Sequence, residues 1–418
     1  MLRPCWLKLP RKLLHRSAGL VVLLLVVLPV GAVAQGGATA LDSSWVTPAE
    51  APYLPPDWVR KIDLRNARDL PRNLHHYPKL EAIHLGNAEL KTLPAYILKL
   101  RSLKAIYLDR TWELNHVQAI GLLAQMPGLR RVSLRYCDFK QAPEAIGQLR
   151  QIHALNLELN QLSALPASLP QLSRLRSLRI GMNPKLTRLP QQVLQLPHLE
   201  RLYLDNCPIA SLPEAIASRL RLSHLSLSGT RIERLPESFR YNPHLKRLNL
   251  SYCRKIDWPR TLQLLSTLPN LQVLKLNQTD IRDLRLPGGL QLKCDTLYAA
   301  HCLGFGNLLP ALQEANQLKM LDLSETRLSE SELKQVMRLS QLEVLNLNSL
   351  DLTELPEEIQ LLRDLRIISL QYNDLAAEDF SVLAALPRLE EVRVSFGKYG
   401  PEDLQAIQEA VPGVRISY

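Results

Sequence analysis

An apolar spacing, L-x-x-L-x-L, returns sixteen times between Val59 and Ile416, about every 23 residues, and it restricts the chain to one kind of architecture. Clear copies are Leu80-Ile83-Leu85, Leu175-Leu178-Ile180, Leu245-Leu248-Leu250 and Leu342-Leu345-Leu347; others drift, as at Ile152 and Cys294, while keeping the spacing. The intervals that start at Leu103 and at Leu245 are 26 residues long. A fixed period of roughly 20–50 residues marks a solenoid, in which each unit buries its apolar face only against its neighbours.

Within each copy the x-L-x-L-x stretch alternates, so it is expected to be a strand with one face inward. Stacked units then make one parallel sheet, at roughly 4.8 Å per unit and about 75 Å in all. A Leu-Pro step follows in many units, as at Leu93-Pro94, Leu165-Pro166, Leu189-Pro190, Leu235-Pro236 and Leu355-Pro356. Proline lacks the N–H that a central strand needs, so this step marks the return on the opposite, convex side. Four returns, 115–126, 329–339, 377–386 and 401–411, read as helical, the last with Glu402 and Asp403 at its start, where carboxylates favour a helix.

In the fuller copies the pattern extends to L-x-x-L-x-L-x-x-N-x-L-x-x-L-P-x-x-I-x-x-L, and residues 342–364 carry it throughout. This resembles the leucine-rich repeat superfamily in its 23-residue LPxxI form, over residues 59–418. The resemblance implies an α/β solenoid, a curved horseshoe with one parallel sheet on the concave face and mixed helical and irregular convex returns. It also implies a ninth position that turns inward to bond the neighbouring turn. That position holds Asn160, Asn183 and Asn373, then Thr111, Thr230, Thr279 and Thr326, and Cys137, Cys207, Cys253 and Cys302. Four of the six cysteines are thus expected as internal rungs, with Cys294 at a first Leu position, all as free thiols. Residues 35–58 and 397–418 hold no Cys, unlike the Cys-rich caps of animal extracellular members, so the chain is similar to exported bacterial leucine-rich repeat proteins.

Export is read from residues 1–34. Arg3, Lys8, Arg11, Lys12 and Arg16 precede an apolar run, 18–30, and Ala32-Val33-Ala34 supplies small residues before Gln35. The segment is expected to be a cleaved signal; uncleaved, it would anchor the chain in a membrane with the repeats still outside, and this is the only membrane association expected. Periplasmic and secreted destinations both stay open. Residues 35–57, with Pro48, Pro52, Pro55 and Pro56, form a linker and N-terminal cap that either runs extended or packs through Tyr53, Leu54 and Trp58. The repeats occupy 58–418, with the last strand in 411–418 as the C-terminal cap. Without residues 1–34 the charge is 46 Lys and Arg against 40 Asp and Glu, +6, too mild to point to nucleic acid.

No phosphate-binding glycine loop, H-E-x-x-H or G-x-S-x-G is present, so neither enzyme activity nor a cofactor or metal is expected. Function is instead expected on the concave face, from the second, third, fifth, seventh and eighth positions. Tyr107, Tyr136, Tyr203, Tyr252, Tyr298, Tyr372 and Phe396 fall there, and tyrosine is enriched in contact surfaces. Over repeats one to nine these positions carry 13 Lys or Arg against 6 Asp or Glu; over the next six, 4 against 6. The candidate binding residues are Lys104, Tyr107, Arg110, Arg130, Arg131, Arg135, Tyr136, Arg176, Arg179, Arg201 and Tyr203. Arginine forks suit carboxylates and phosphates, so the expected partner is a protein with an acidic surface; an anionic envelope polymer bound by a structural protein is the alternative. His84, His153, His224 and His301 lie in separate repeats and read as solvated side chains.

Overall fold

The fourth position of each repeat is aliphatic, and there the chain is extended. Sixteen strands, each three residues long, run from Lys61–Asp63 to Arg415–Ser417 in the described residues. They form one open parallel sheet in strict chain order, with fourth positions opposite each other: Ile62 with Ile83, Ile106 with Val132, Leu155 with Leu178. The inward side chains at these positions are buried, apart from half-buried Ile416 in the last strand. With the first- and sixth-position leucines they make one continuous core, so the molecule is a curved solenoid stabilised repeat by repeat. The computed structural model describes residues 45–395 and 397–418, including every side chain there but that of Tyr241. The expected export segment, residues 35–44 and Phe396 lie outside the described residues.

Proline sets the returns as expected. Pro94, Pro143, Pro190, Pro236 and Pro356 each sit at the N-cap of a single 3₁₀ turn, with φ between −58° and −72°, inside the range the ring imposes. Each turn drives an apolar residue inward, namely Ile97, Ile146, Val193, Phe239 and Ile359, all at most 1 % exposed. The two 26-residue intervals have room for more and form two-turn α-helices, His116–Leu123 and Trp258–Leu265, capped by Asn115 and Asp257. Ser329 and Glu332 form a reciprocal cap on Glu330–Val336, and the last return is the helix Pro401–Ala410. The return at 377–386 is helical as expected, a 3₁₀ helix over Ala377–Ala385. Two expectations need correction. Helices Ala215–Arg219, Trp258–Leu265 and Leu309–Ala315 do not follow from the repeat reading. The sixteenth copy is also displaced by two residues: Ile416, not Val414, pairs with Val392, while buried Val411 is the C-cap of the preceding helix.

Between Trp45 and the first repeat the chain packs onto the first strand. Val46 makes a parallel bridge to Ile62, donating its N–H to the Lys61 carbonyl and accepting from the Asp63 N–H, both at 2.9 Å. Val46 and Ala51 are buried and Leu54 is half-buried, whereas Tyr53 and Trp58 are exposed. The bridge covers part of the edge that a first strand leaves open.

Inside the stack the ninth-position side chains form the expected ladder. Asn160 donates to the carbonyls of Leu157, at 2.9 Å, and of Leu134 in the preceding repeat, at 3.0 Å. Its carboxamide oxygen accepts from the N–H groups of Cys137 and Phe139. Asn183 and Asn373 bond their own and the preceding repeat's carbonyls in the same way. Thr111 reaches only its own repeat's Leu108 carbonyl, and the Cys137 thiol of the next repeat donates to that same oxygen at 3.2 Å. Thr230 and Cys253 repeat the arrangement on Leu227.

Glu391 ties down the last strand. It accepts from Arg393 Nε at 2.8 Å and Ser417 Oγ at 2.7 Å, and it pairs with Arg415. Hydrogen bonds from Arg393, then Ser417 and Arg415, hold its carboxyl at about 2, against an ordinary 4.5. A carboxylate with a depressed folded pKa stabilises fully above the ordinary value and loses that contribution as pH falls through the folded one. Protection of the amides over residues 401–418, relative to their intrinsic exchange rates, is therefore expected to fall between pH 4.5 and 2 in the native chain, and Glu391→Gln is expected to show low protection there already at pH 7. Asn160→Ala leaves buried donors and acceptors unpaired and is expected to cost about 2–4 kcal/mol in urea unfolding, with Asn160→Thr costing less because one carbonyl keeps its donor.

Candidate ligand-binding face

The strands cover only the third to fifth positions, so the expected outward positions divide into two sets. Arg131, Tyr107, Arg179, Arg201 and Tyr203 stand on strands, with Lys104, Arg130 and Arg176 immediately before them. The eighth position is not on a strand. In each of the first fourteen repeats it adopts left-handed φ, from Asn66 and Asn87 through Arg110, Tyr136, Tyr252 and Tyr372. That conformation is costly for a residue with a Cβ, and the next repeat compensates: Arg110 N–H donates to the Arg135 carbonyl and Tyr136 N–H to that of Glu158. Tyr136, Tyr252 and Tyr372 therefore stand at the corner where the sheet turns into the return.

Opposite charges in neighbouring repeats decide which cations are free. At the second position Glu81 takes both Arg60, at 3.4 Å, and Lys104, at 2.7 Å. Arg176 pairs with Glu200, Lys319 with Glu343 and Arg366 with Glu390. Between Glu81 and Glu200 the column holds Lys104, Arg130, His153 and Arg176 and no acid. His153 is held below the usual imidazole range by burial and by the charges of Arg130, Arg176 and Arg174. Among the eight expected cations, Lys104, Arg176 and Arg179 have carboxylate partners; Arg179 also lies 3.9 Å over the Tyr203 ring and pairs with Glu158. Arg110, Arg130, Arg131, Arg135 and Arg201 form no ion pair among the described residues. Arg130 turns back onto the Pro127 and Leu129 carbonyls, so its fork is satisfied locally. Arg201, in repeat seven, is half-buried, so the exposed open cations among the eight are Arg110, Arg131 and Arg135, all in repeats three and four.

Around them lie rings, of which the repeat arithmetic placed Tyr107 and Tyr136 but not Trp45 or Trp112. His84 stacks on Tyr107, 5.3 Å between centroids and 15° between planes. Trp45 meets both edge-on, each at 5.7 Å. Arg131 donates to the Tyr107 hydroxyl at 3.3 Å, Arg110 lies 5.2 Å from the Tyr136 centroid, and Trp112 meets Tyr136 edge-on at 5.9 Å. An open groove of about 630 Å³ is lined by Asp63, Arg65, His84, Asp109, Arg110 and Arg135 among others, and a separate one of about 470 Å³ by Trp112 and Tyr136 with Cys137, Asp138, Leu159 and Gln161. The acids of the first groove are engaged: Asp63 is paired with Arg65, and Asp109 accepts from Ser133 Oγ and Arg135 N–H. Gly86 leaves room for His84, since a Cβ there would come within 2.5 Å of the imidazole. His84 departs from its reading as a solvated side chain. Burial pushes its pKa down, and its Nδ1 accepts from Gly86 N–H, so it is a neutral ring with the proton on Nε2.

Cys137, Cys207, Cys253, Cys294 and Cys302 are buried free thiols, and Cys5 lies outside the described residues. Burial raises the first three and Cys302 to about 11 and Cys294 to about 12, so the reactive thiolate is suppressed. These five are expected to resist a disulfide-exchange reagent at pH 8 until urea unfolds the chain, as counted by chromophore release. Among the described residues no group of three His, Cys, Asp or Glu is placed to hold a metal ion, and no helix is long and apolar enough to cross a membrane.

The leucine rich repeat family model matches residues 197–254. Uridine 5'-monophosphate transferase of Xanthomonas campestris pv. campestris is 43 % identical over 74 residues, 18 % of this chain and 14 % of that protein. Podocan-like protein 1 of Mus musculus is 34 % identical over 130 residues, 30 % of this chain and 22 % of its own length. The chain thus spans under a quarter of either curated relative. Among solved structures, an LRR protein of Leptospira interrogans has a TM-score of 0.50 at 21 % identity, covering 90 % of this chain and 100 % of that one. A chain from the TLR13–ssRNA13 complex has a TM-score of 0.61 at 19 % identity, covering 86 % and 51 %. At such identities the likeness is one of fold.

Proposed function

We infer the function of this chain from one premise: it is a leucine-rich repeat protein. Such solenoids present extended concave surfaces built from rigid strands, and this one is read as an exported, non-enzymatic interaction module for an acidic protein partner. Little ordering is needed on binding, because the strand side chains are already held in register. Export rests on the basic stretch, apolar run and small residues within 1–34.

The observation that carries the reading is the contrast between the two halves of the sheet. Toward the C-terminus the face cations Lys319, Arg366, Arg393 and Arg415 are each matched to a carboxylate, while Lys275 lies over the Tyr298 ring. In repeats three and four Arg110, Arg131 and Arg135 have none, and exposed pairs elsewhere bring little stability. Three unpaired guanidinium forks on a rigid face favour a partner that brings the missing carboxylates.

The test is capture of partners from cell-envelope extract by the full exported chain, followed by binding isotherms on the captured protein. Charge reversal at Arg110, Arg131 and Arg135 is expected to weaken binding by at least about tenfold, as truncating desolvated charge pairs does. Reversal at Lys319, Arg366 and Arg388 makes the same net change and is expected to be neutral. Equal loss in both variants would reduce the effect to net charge and sink the site. An envelope polymer or a single-stranded RNA held more tightly than any protein would replace the partner class.

A further inference from the structure

We propose that the first four repeats, together with the segment ahead of them, form a composite pocket for an acidic stretch of the partner that also carries an aromatic side chain. This rests on the proposed acidic protein partner and narrows its chemistry.

The pocket has a contribution from outside the repeats. Trp45 precedes the first copy, and the Val46 bridge to Ile62 places it against His84 and Tyr107 in repeats two and three. Trp112 and Tyr136 make a second ring pair, which lines a separate groove of about 470 Å³. Trp45, Trp112 and Tyr136 remain 37 %, 54 % and 44 % exposed. Exposed aromatics held by a rigid frame are the side chains that dominate contact energy when a partner covers them.

The cations are oriented by the same rings. Arg110 lies over Tyr136, and Arg131 is held at the Tyr107 hydroxyl. A guanidinium resting on a ring keeps its N–H edge free for a bidentate carboxylate. Charge alone would need none of these rings. A uniformly anionic chain would also meet Asp63 and Asp109, which line the same groove as Arg110 and Arg135. The ligand that fits brings carboxylates to Arg110, Arg131 and Arg135 and an uncharged ring to one of the exposed aromatic groups beside them. The groove's volume of about 630 Å³ lies within the roughly 300–1,000 Å³ of ligand pockets.

The probes are two synthetic polypeptides of matched length, poly-glutamate and a random glutamate–tyrosine copolymer, titrated into the full exported chain at about 0.15 M salt, where exposed charges are screened beyond about 8 Å. The native chain is expected to bind the copolymer about tenfold more tightly, the equivalent of one well-placed aromatic contact. Trp45→Ala and Trp112→Ala are each expected to erase most of that preference, lowering affinity for the copolymer by a larger factor than affinity for poly-glutamate. Trp112 stands on an exposed turn, so it carries the test if Trp45→Ala loosens the N-terminal cap. Equal affinity for the two polypeptides, both lost on reversing Arg131 and Arg135, would overturn the aromatic requirement and leave the acidic partner intact. Binding of either polypeptide indifferent to those arginines would overturn the acidic partner as well. Tighter binding of polygalacturonate than of the copolymer would assign the groove to an acidic glycan and overturn the peptide.

Discussion

The structure depends on the backbone carbonyl at the sixth position of each repeat. Leu108, Leu134, Leu157, Ile180 and Leu227 bear this oxygen just after the strand, where the chain turns and its carbonyl meets the interior. A buried carbonyl without a donor is costly, and the ninth-position side chain supplies one. Asn160 and Asn183 bond the sixth-position carbonyl of their own repeat and of the one before, so each amide couples two units. Threonine and cysteine act in pairs instead. Thr111 and Cys137 converge from successive repeats on the Leu108 oxygen, and Thr230 and Cys253 on that of Leu227. Cys137 and Cys253 thus serve as internal donors, buried as free thiols.

The same repetition controls the charges outside. Residues at one position of successive repeats are lateral neighbours, so a carboxylate can take a cation from the unit on either side, as Glu81 does. Where several repeats pass without an acid in the column, cations accumulate. Each is then resolved by what stands beside it: Arg130 by its own turn, Arg179 by Glu158 and the Tyr203 ring. Arg110 and Arg131 have aromatic neighbours in place of an ion-pair partner, and Arg135 forms no ion pair among the described residues, which turns an ordinary charged sheet into a candidate site.

Much of this was legible in the residues. The period located fifteen of the strands in register, because the alternation of aliphatic positions fixes which face is inward. The ninth-position reading placed the cysteines. The last strand was misjudged because Val411-Val414-Ile416 imitates the motif, although Pro412-Gly413 separates the helix that ends at Val411 from the strand, with Gly413 at φ +80°. The helix Trp258–Leu265 carried a signal in its 26-residue interval, Asp257 and Pro259, which went unread. Trp45 had no such signal: it lies outside the period, so no count from the repeats could set it beside Tyr107.

Alone, the residue order determined the architecture, the inward face, the chemistry of the internal ladder and the excess of cations in the first half, since each follows from local spacing repeated many times. Only the tertiary structure decided which cations stay unpaired, that the eighth-position tyrosines stand at a left-handed corner, that His84 is a neutral stacked ring, and that Trp45 joins the face. Those outcomes depend on distances between side chains of different repeats, which a one-dimensional period orders but does not measure.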